Sequence, residues 1–215
     1  YLKRHLGLKD FIRLNEMTFS SFAGNNSLKR RMLHGKLNPR TRKLHNEIIR
    51  MQFKDKSTMD RKDPDLYIFG GLPSSAKTTV LTKKVPEKTI IIDSDAYKSR
   101  LAKRSKSKLK NYVLAHASYL HEEADLLIKK AIEKSIRERR DVTFDATFKS
   151  YDKGGNLIRK FRDAGYDIHY LGTQKSPSKS IIHSAKRFIK KGRYVPLDYI
   201  RENGNKISSN SWDAR

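Results

Sequence analysis

The chain has 215 residues, of which 48 are Lys or Arg and 23 are Asp or Glu, a formal charge of +25. It contains no Cys, which excludes disulfide frameworks, zinc ribbons and thiol chemistry. No apolar run approaches the roughly 18 residues that a spanning helix needs, which excludes a transmembrane protein and leaves a soluble chain of one domain plus an extension. A charge of this size raises the local concentration of polyanions over the whole surface, so nucleic acid, a nucleotide or an acidic partner is expected.

Residues 1–37 are basic, lack sustained periodicity and read as an extension or linker, with one short helix near Leu6 to Leu14. The chain opens at Tyr1 without a secretory apolar stretch, as a processed product or part of a longer polypeptide would. Asn38 followed by Pro39 marks a helix start, with Asn as the cap and Pro where a missing N–H costs nothing. Its apolar stripe, Leu44, Ile48, Ile49 and Met51, runs to about Phe53. Buried-strand patterns follow at Leu66 to Phe69, ending in Gly70-Gly71, and at Thr89 to Ile92, ending in Asp93-Ser94-Asp95. A long helix is predicted from about Asn111 to Arg139, with Val113, Ala117, Leu120, Ala124, Leu127, Ala131 and Ile132 on one face. Val142 to Phe144 gives a third strand, about Asn156 to Asp163 a short helix closed by Gly165, and Asp167 to Leu171 a fourth strand. A last helix covers about Ser178 to Lys190, and residues 208–215 form a polar tail. Strands alternating with helices predict an α/β fold, a parallel sheet flanked by helices, over 38–207.

The segment Gly71-Leu72-Pro73-Ser74-Ser75-Ala76-Lys77-Thr78 fits the P-loop pattern G-x-x-x-x-G-K-[ST] except that Ala76 stands at the second Gly. In such a loop backbone N–H groups at a helix start cradle phosphate, Lys neutralises it and Thr meets Mg²⁺. Gly71, Ser74, Ser75, Ala76, Lys77, Thr78 and Thr79 are therefore the candidate nucleotide ligands. Ala76 adds one methyl where backbone and phosphate must meet, which weakens binding without abolishing it.

Three further groups fall on the same rim. Asp93 and Asp95 end the second strand, where open sheets bind ligands; Asp95 is the candidate base for an attacking hydroxyl, and Asp93 the stronger candidate for a helix cap. Asp145 and Thr147 end the third strand, suited to Mg²⁺ through water or to a substrate hydroxyl. Arg187 and Arg193, at and beyond a helix end, suit a clamp on transferring phosphate, because a guanidinium meets it as a fork and stays charged.

In order and spacing these pieces resemble the zeta-toxin family of P-loop kinases, especially the zeta-like domains of bacteriophage proteins. The likeness runs from about Asn38 to Lys206 and includes Asp93 to Lys98, Phe144 to Thr147, Gly165-Tyr166 and Gly192 to Pro196. It implies that Lys77 and Thr78 hold ATP phosphates and Mg²⁺, that Asp95 is the base, and that Arg187 and Arg193 clamp phosphate. It also implies that Asp145, Thr147 and Lys149 meet the acceptor, Asp145 standing for a Glu and Lys149 for an Arg. The acceptor it implies is the 3′-hydroxyl of UDP-N-acetylglucosamine, with a cytoplasmic site in a bacterial host, an antitoxin or a larger phage polypeptide as partner, and no membrane. GTP in place of ATP stays open. The chain is expected to stop before the family's last strand.

Two alternatives stand beside the sugar-nucleotide kinase. Lys98, Arg100, Lys103, Arg104, Lys106, Lys108 and Lys110 run without an acidic residue beside the candidate base, which suits a polynucleotide kinase acting on nucleic acid ends. The substitutions Ala76 and Lys149, with basic Lys29-Arg30-Arg31, suit a nucleic-acid-associated phage virion protein whose kinase fold is degenerate.

Overall fold

The computed structural model describes residues 7, 9, 32–33, 36–54, 56, 60–75, 77, 79, 83–104, 120–145, 150–173, 175–191, 195–202 and 204. Ahead of the main domain, β1 (Met32–Leu33) and β2 (Lys36–Leu37) form a two-stranded antiparallel hairpin within what the sequence presents as an unstructured extension. The short helix expected near Leu6 to Leu14 lies outside the described residues save for 7 and 9. Helix α1 (Pro39–Phe53) starts as its sequence dictates, with the Asn38 side chain accepting the Thr41 N–H at 2.8 Å and Pro39 in the first turn.

The sheet has four parallel strands, β3 (Asp65–Gly71), β4 (Ile90–Asp93), β5 (Val142–Asp145) and β6 (Asp167–Thr173), in the order β4-β5-β3-β6. Helices α2 (Ser94–Arg104) and α3 (His121–Arg137) lie between β4 and β5, and α4 (Tyr151–Asp163) connects β5 to β6. Helix α5 (Pro177–Lys191) follows β6, and a helical turn covers 197–202. All four strands point their carboxyl ends the same way, and the chain turns to opposite sides of β3, so the end of β3 is the reversal point where open sheets bind ligands. Cover on both faces explains the unbroken apolar strands: Leu66, Ile68, Ile90, Ile92 and Val142 have no exposed surface.

Helix α3 buries Ala124, Leu127, Ala131 and Ile132, four members of its apolar stripe, and the expected start at 111–119 lies outside the described residues. It also carries Glu123 into contact with His45 of α1: His45 Nε2 and Glu123 Oε1 lie 2.8 Å apart, both side chains fully buried. Gln52 of α1 donates to the Ile91 carbonyl of edge strand β4 and accepts from Arg100 of α2, tying three elements through one amide.

One boundary differs from expectation. Helix α4 begins at Tyr151, not Asn156, because the Ser150 hydroxyl accepts the Lys153 N–H and caps it; Gly154 and Gly155 obscure the start by their low helix propensity. The acidic segment after β4 opens directly into α2, which makes the basic run helical from Lys98 to Arg104. Gly165 ends α4 at φ 74°, as anticipated. Among the described residues no helix is long and apolar enough to cross a membrane.

Candidate active site

At the end of β3 the backbone can turn only because residue 71 is glycine. Gly71 has φ 136°, and a Cβ there would lie 2.5 Å from both the carbonyl and the hydroxyl oxygen of Thr173 on neighbouring β6. The loop beyond is braced from β6 and α5. Ser75 Oγ meets Thr173 Oγ1 at 2.5 Å, Lys175 donates to the Ser74 carbonyl at 3.2 Å, Ser184 donates to Ser74 Oγ at 3.0 Å, and Ser180 donates to the Pro73 carbonyl. Ser74 holds a left-handed conformation, φ 61°, under these constraints.

Lys77 opens the helix after the loop and turns its ammonium back into it. It donates to the carbonyls of Gly71 at 2.9 Å and Leu72 at 3.2 Å and lies 3.6 Å from Asp145 Oδ1 at the end of β5. Asp145 is the register partner of Asp93 at the end of β4, so two carboxylates stand side by side on adjacent strands. Burial pushes both up from the ordinary carboxylate value, while Lys77 and Arg187 oppose the shift on each. Burial likewise pushes the Lys77 ammonium and the Arg187 guanidinium down, with Asp93 and Asp145 holding them charged. Lys77, Arg187, Asp93 and Asp145 form one cluster in which each charge is supported by those of opposite sign, while Asp93 adds to the upward shift of Asp145 and Arg187 to the downward shift of Lys77.

Asp95 takes the outer position. Its backbone N–H donates to Asp93 Oδ1 at 2.8 Å, so Asp93 caps α2 and faces Lys77 at once. The Asp95 side chain, 38% exposed, lies 3.9 Å from Lys98 Nζ. Lys98 is itself pushed down by burial, against Asp125 and Asp93.

The structure thus gathers Gly71, Ser74, Ser75, Lys77, Asp145 and Arg187 at one edge, with Asp95 beside them on α2. Thr79 is in helix and exposed. Ala76, Thr78, Thr147, Lys149 and Arg193 lie outside the described residues, as does the basic run from 105 to 110. The Ser74 and Ser75 hydroxyls are held in place by α5 and β6, Ser74 as an acceptor from Ser184. The sequence places Asp93 on the rim and weights it towards a helix cap; the structure has it cap α2 and also stand beside Asp145, facing Lys77. Thr173, Ser180 and Ser184 carried no signal, being about 100 residues away along the chain. A divalent cation fits the hard oxygens of Asp145 and Asp93, because Mg²⁺ takes one or two carboxylates and fills its remaining positions with phosphate and water. Among the described residues no group of three or more His, Asp or Glu gathers into a metal cage.

A parallel sheet with a glycine-led loop, a buried lysine and paired strand-end carboxylates defines a P-loop phosphotransferase of the kinase class. The zeta toxin family profile matches residues 50–211, and the chain belongs to that family. No curated protein matches it. Solved structures of the same fold include a chain of the PezAT chromosomal toxin-antitoxin system of Streptococcus pneumoniae, at 15% identity and TM-score 0.58, covering 94% of this chain and 72% of that one. AvrRxo1-ORF1:-ORF2 with ATP aligns at 18% identity and TM-score 0.69, over 84% of this chain and 60% of the other. The Pnkp1/Rnl/Hen1 RNA repair complex aligns at 16% and 0.54, over 74% and 48%. The chain therefore spans about half to three quarters of the length of these structures.

Proposed function

We propose that the chain transfers the γ-phosphate of ATP to a hydroxyl of a sugar nucleotide of the UDP-N-acetylglucosamine type. The observation that carries this reading is the division of the rim: an inner cluster of Lys77, Arg187, Asp93 and Asp145 beside the P-loop, and an outer carboxylate, Asp95, on α2 two residues beyond Asp93. Lys77 and Arg187, joined by Arg193, neutralise the phosphate oxygens as charge moves onto them. Asp95 accepts the proton of the acceptor hydroxyl as its oxygen bonds to the γ-phosphorus and the bond to the β-phosphate oxygen breaks, leaving ADP. Thr78 and Asp145 would hold Mg²⁺, which neutralises phosphate charge when bound. Thr147 and Lys149 complete the acceptor side. A structural neighbour bound to ATP supports that nucleotide, with GTP open, and the toxin-antitoxin neighbour supports an antitoxin as protein partner.

A second reading rests on Lys98. Its ammonium, held 3.9 Å from Asp95 on a helix that also carries Arg100 and Lys103, suits the phosphate of a nucleic acid end, and the fold is shared with an RNA repair complex. Labelled ATP offered with UDP-N-acetylglucosamine and, separately, with 5′-hydroxyl oligonucleotides distinguishes the two. Transfer to the sugar nucleotide is expected; transfer to oligonucleotides alone overturns the first reading. Asp95→Asn should lower the rate about 10²–10⁴-fold with ATP binding retained, as for a lost general base. Full activity in that variant removes Asp95 from the mechanism.

A further inference from the structure

The last turns of α1 and α3 lead into the starts of β3 and β5, so they meet at the sheet edge opposite Gly71 and Asp145. There they line an open groove of about 540 Å³. Arg50 and Lys54 line its α1 wall; Lys130, Lys134 and Arg137 line its α3 wall; Glu133 is the one acid among these lining side chains. Arg50 and Arg137 pair with no carboxylate among the described residues, while Lys134 pairs with Glu138. Burial pushes Lys130 down, and the nearby Arg42 pushes it further.

Helix dipoles favour a cation or two in each last turn. They do not account for two rows facing each other across a groove, nor for Lys130, which lies two turns before the end of α3. Like charges brought together this way repel unless an anion joins them. Lys130, Lys134 and Arg137 fall at i, i+4 and i+7, a row about 10 Å long at the helical rise, long enough to meet more than one phosphate of a strand. The floor is closed to bases: Phe53 is 6% exposed, with Lys134 5.1 Å and Arg140 5.7 Å from its ring centre. Without an open apolar floor the groove does not suit an amphipathic peptide, and without a stacking platform it does not read base identity.

We propose that this groove binds the sugar-phosphate backbone of single-stranded nucleic acid, without base preference, at a site separate from the P-loop. The test is fluorescence anisotropy of a labelled 12-nucleotide strand with the full chain between 50 and 200 mM salt, in excess ATP so that the P-loop is filled. Arg50→Ala/Lys130→Ala/Arg137→Ala should weaken binding at least tenfold and reduce the salt slope by about 2, each lost phosphate contact contributing about 0.7. Lys83→Ala/Lys84→Ala/Lys88→Ala removes the same charge from an exposed turn before β4 and should leave both quantities near those of the unaltered chain. Equal losses in the two variants, or none in the first, overturn the proposal. Displacement of the strand by poly-glutamate of equal charge overturns the assignment to nucleic acid in favour of an acidic polypeptide. Unchanged ATP binding in the groove variant shows that it is folded, and it also keeps this outcome independent of the proposed kinase reaction.

Discussion

Charge is arranged in opposite ways at the two edges of the sheet. At the carboxyl edge, a buried lysine and a half-buried arginine face two half-buried carboxylates beside the P-loop, each cation opposing the loss of charge on the acids. At the amino edge, five cations and one carboxylate line an open groove. A mixed cluster in a low-dielectric setting discriminates sharply and responds little to salt, whereas a one-signed, solvated groove attracts by charge alone and is screened. The difference teaches that a total of +25 conceals two kinds of site.

The largest effect should come from removing the cation at the centre of the mixed cluster. Lys77→Ala should lower phosphoryl transfer about 10²–10³-fold, the scale of losing one preorganised electrostatic group, read as kcat in a labelled-ATP assay. Next is the loop itself. Gly71→Ala places a methyl against Thr173 in a backbone conformation that L residues avoid, and should cost about 1–3 kcal/mol in denaturant unfolding.

Acid separates the edges in a different way. Burial raises Asp93 and Asp145 above the ordinary 3.8, so they take up protons at a higher pH than an exposed Asp. The acid limb of kcat/KM should therefore lie above the ordinary carboxylate range. Stability moves oppositely at these two groups: a raised folded pKa means that the folded state binds the proton more tightly, so their contribution grows as pH falls and is complete below the unfolded value. Asp145→Asn should accordingly be more stable than the unaltered chain near neutral pH, with the gain fading on acidification, as equilibrium unfolding at several pH values would show. The smallest effect belongs to the groove. Arg137→Ala removes an exposed cation with no carboxylate partner among the described residues and should change unfolding free energy by no more than about 0.5 kcal/mol.

Much of the carboxyl edge was legible in the chain. Leu66 to Phe69 running into Gly70-Gly71, and Asp145 at the end of an apolar run, announce strand ends because burial on both faces demands unbroken apolar residues. The start of α4 was not legible, since a serine cap outweighs two helix-disfavouring glycines only once Phe161 and its neighbours are packed. Nor were the Ser180, Ser184 and Thr173 braces, which depend on β6 lying beside β3. The amino-edge groove escaped for the same reason: Arg50 and Arg137 look like ordinary helix-end cations until α1 and α3 are laid side by side.

The His45–Glu123 contact bears on where this domain can be cut. The family profile starts at residue 50, in the last turn of α1, yet the helix begins at Pro39 and sends His45 and Ile48 into the interior. An expression fragment opened at residue 50 loses the Asn38 cap and the histidine that meets Glu123, a carboxylate with no exposed surface. Depriving a buried acceptor of one of its partners costs up to about 1–3 kcal/mol, which is a large share of a small domain's stability. Fragments made for crystallisation or assay should therefore begin ahead of Asn38, and a shorter one that fails to express tests the boundary rather than the enzyme.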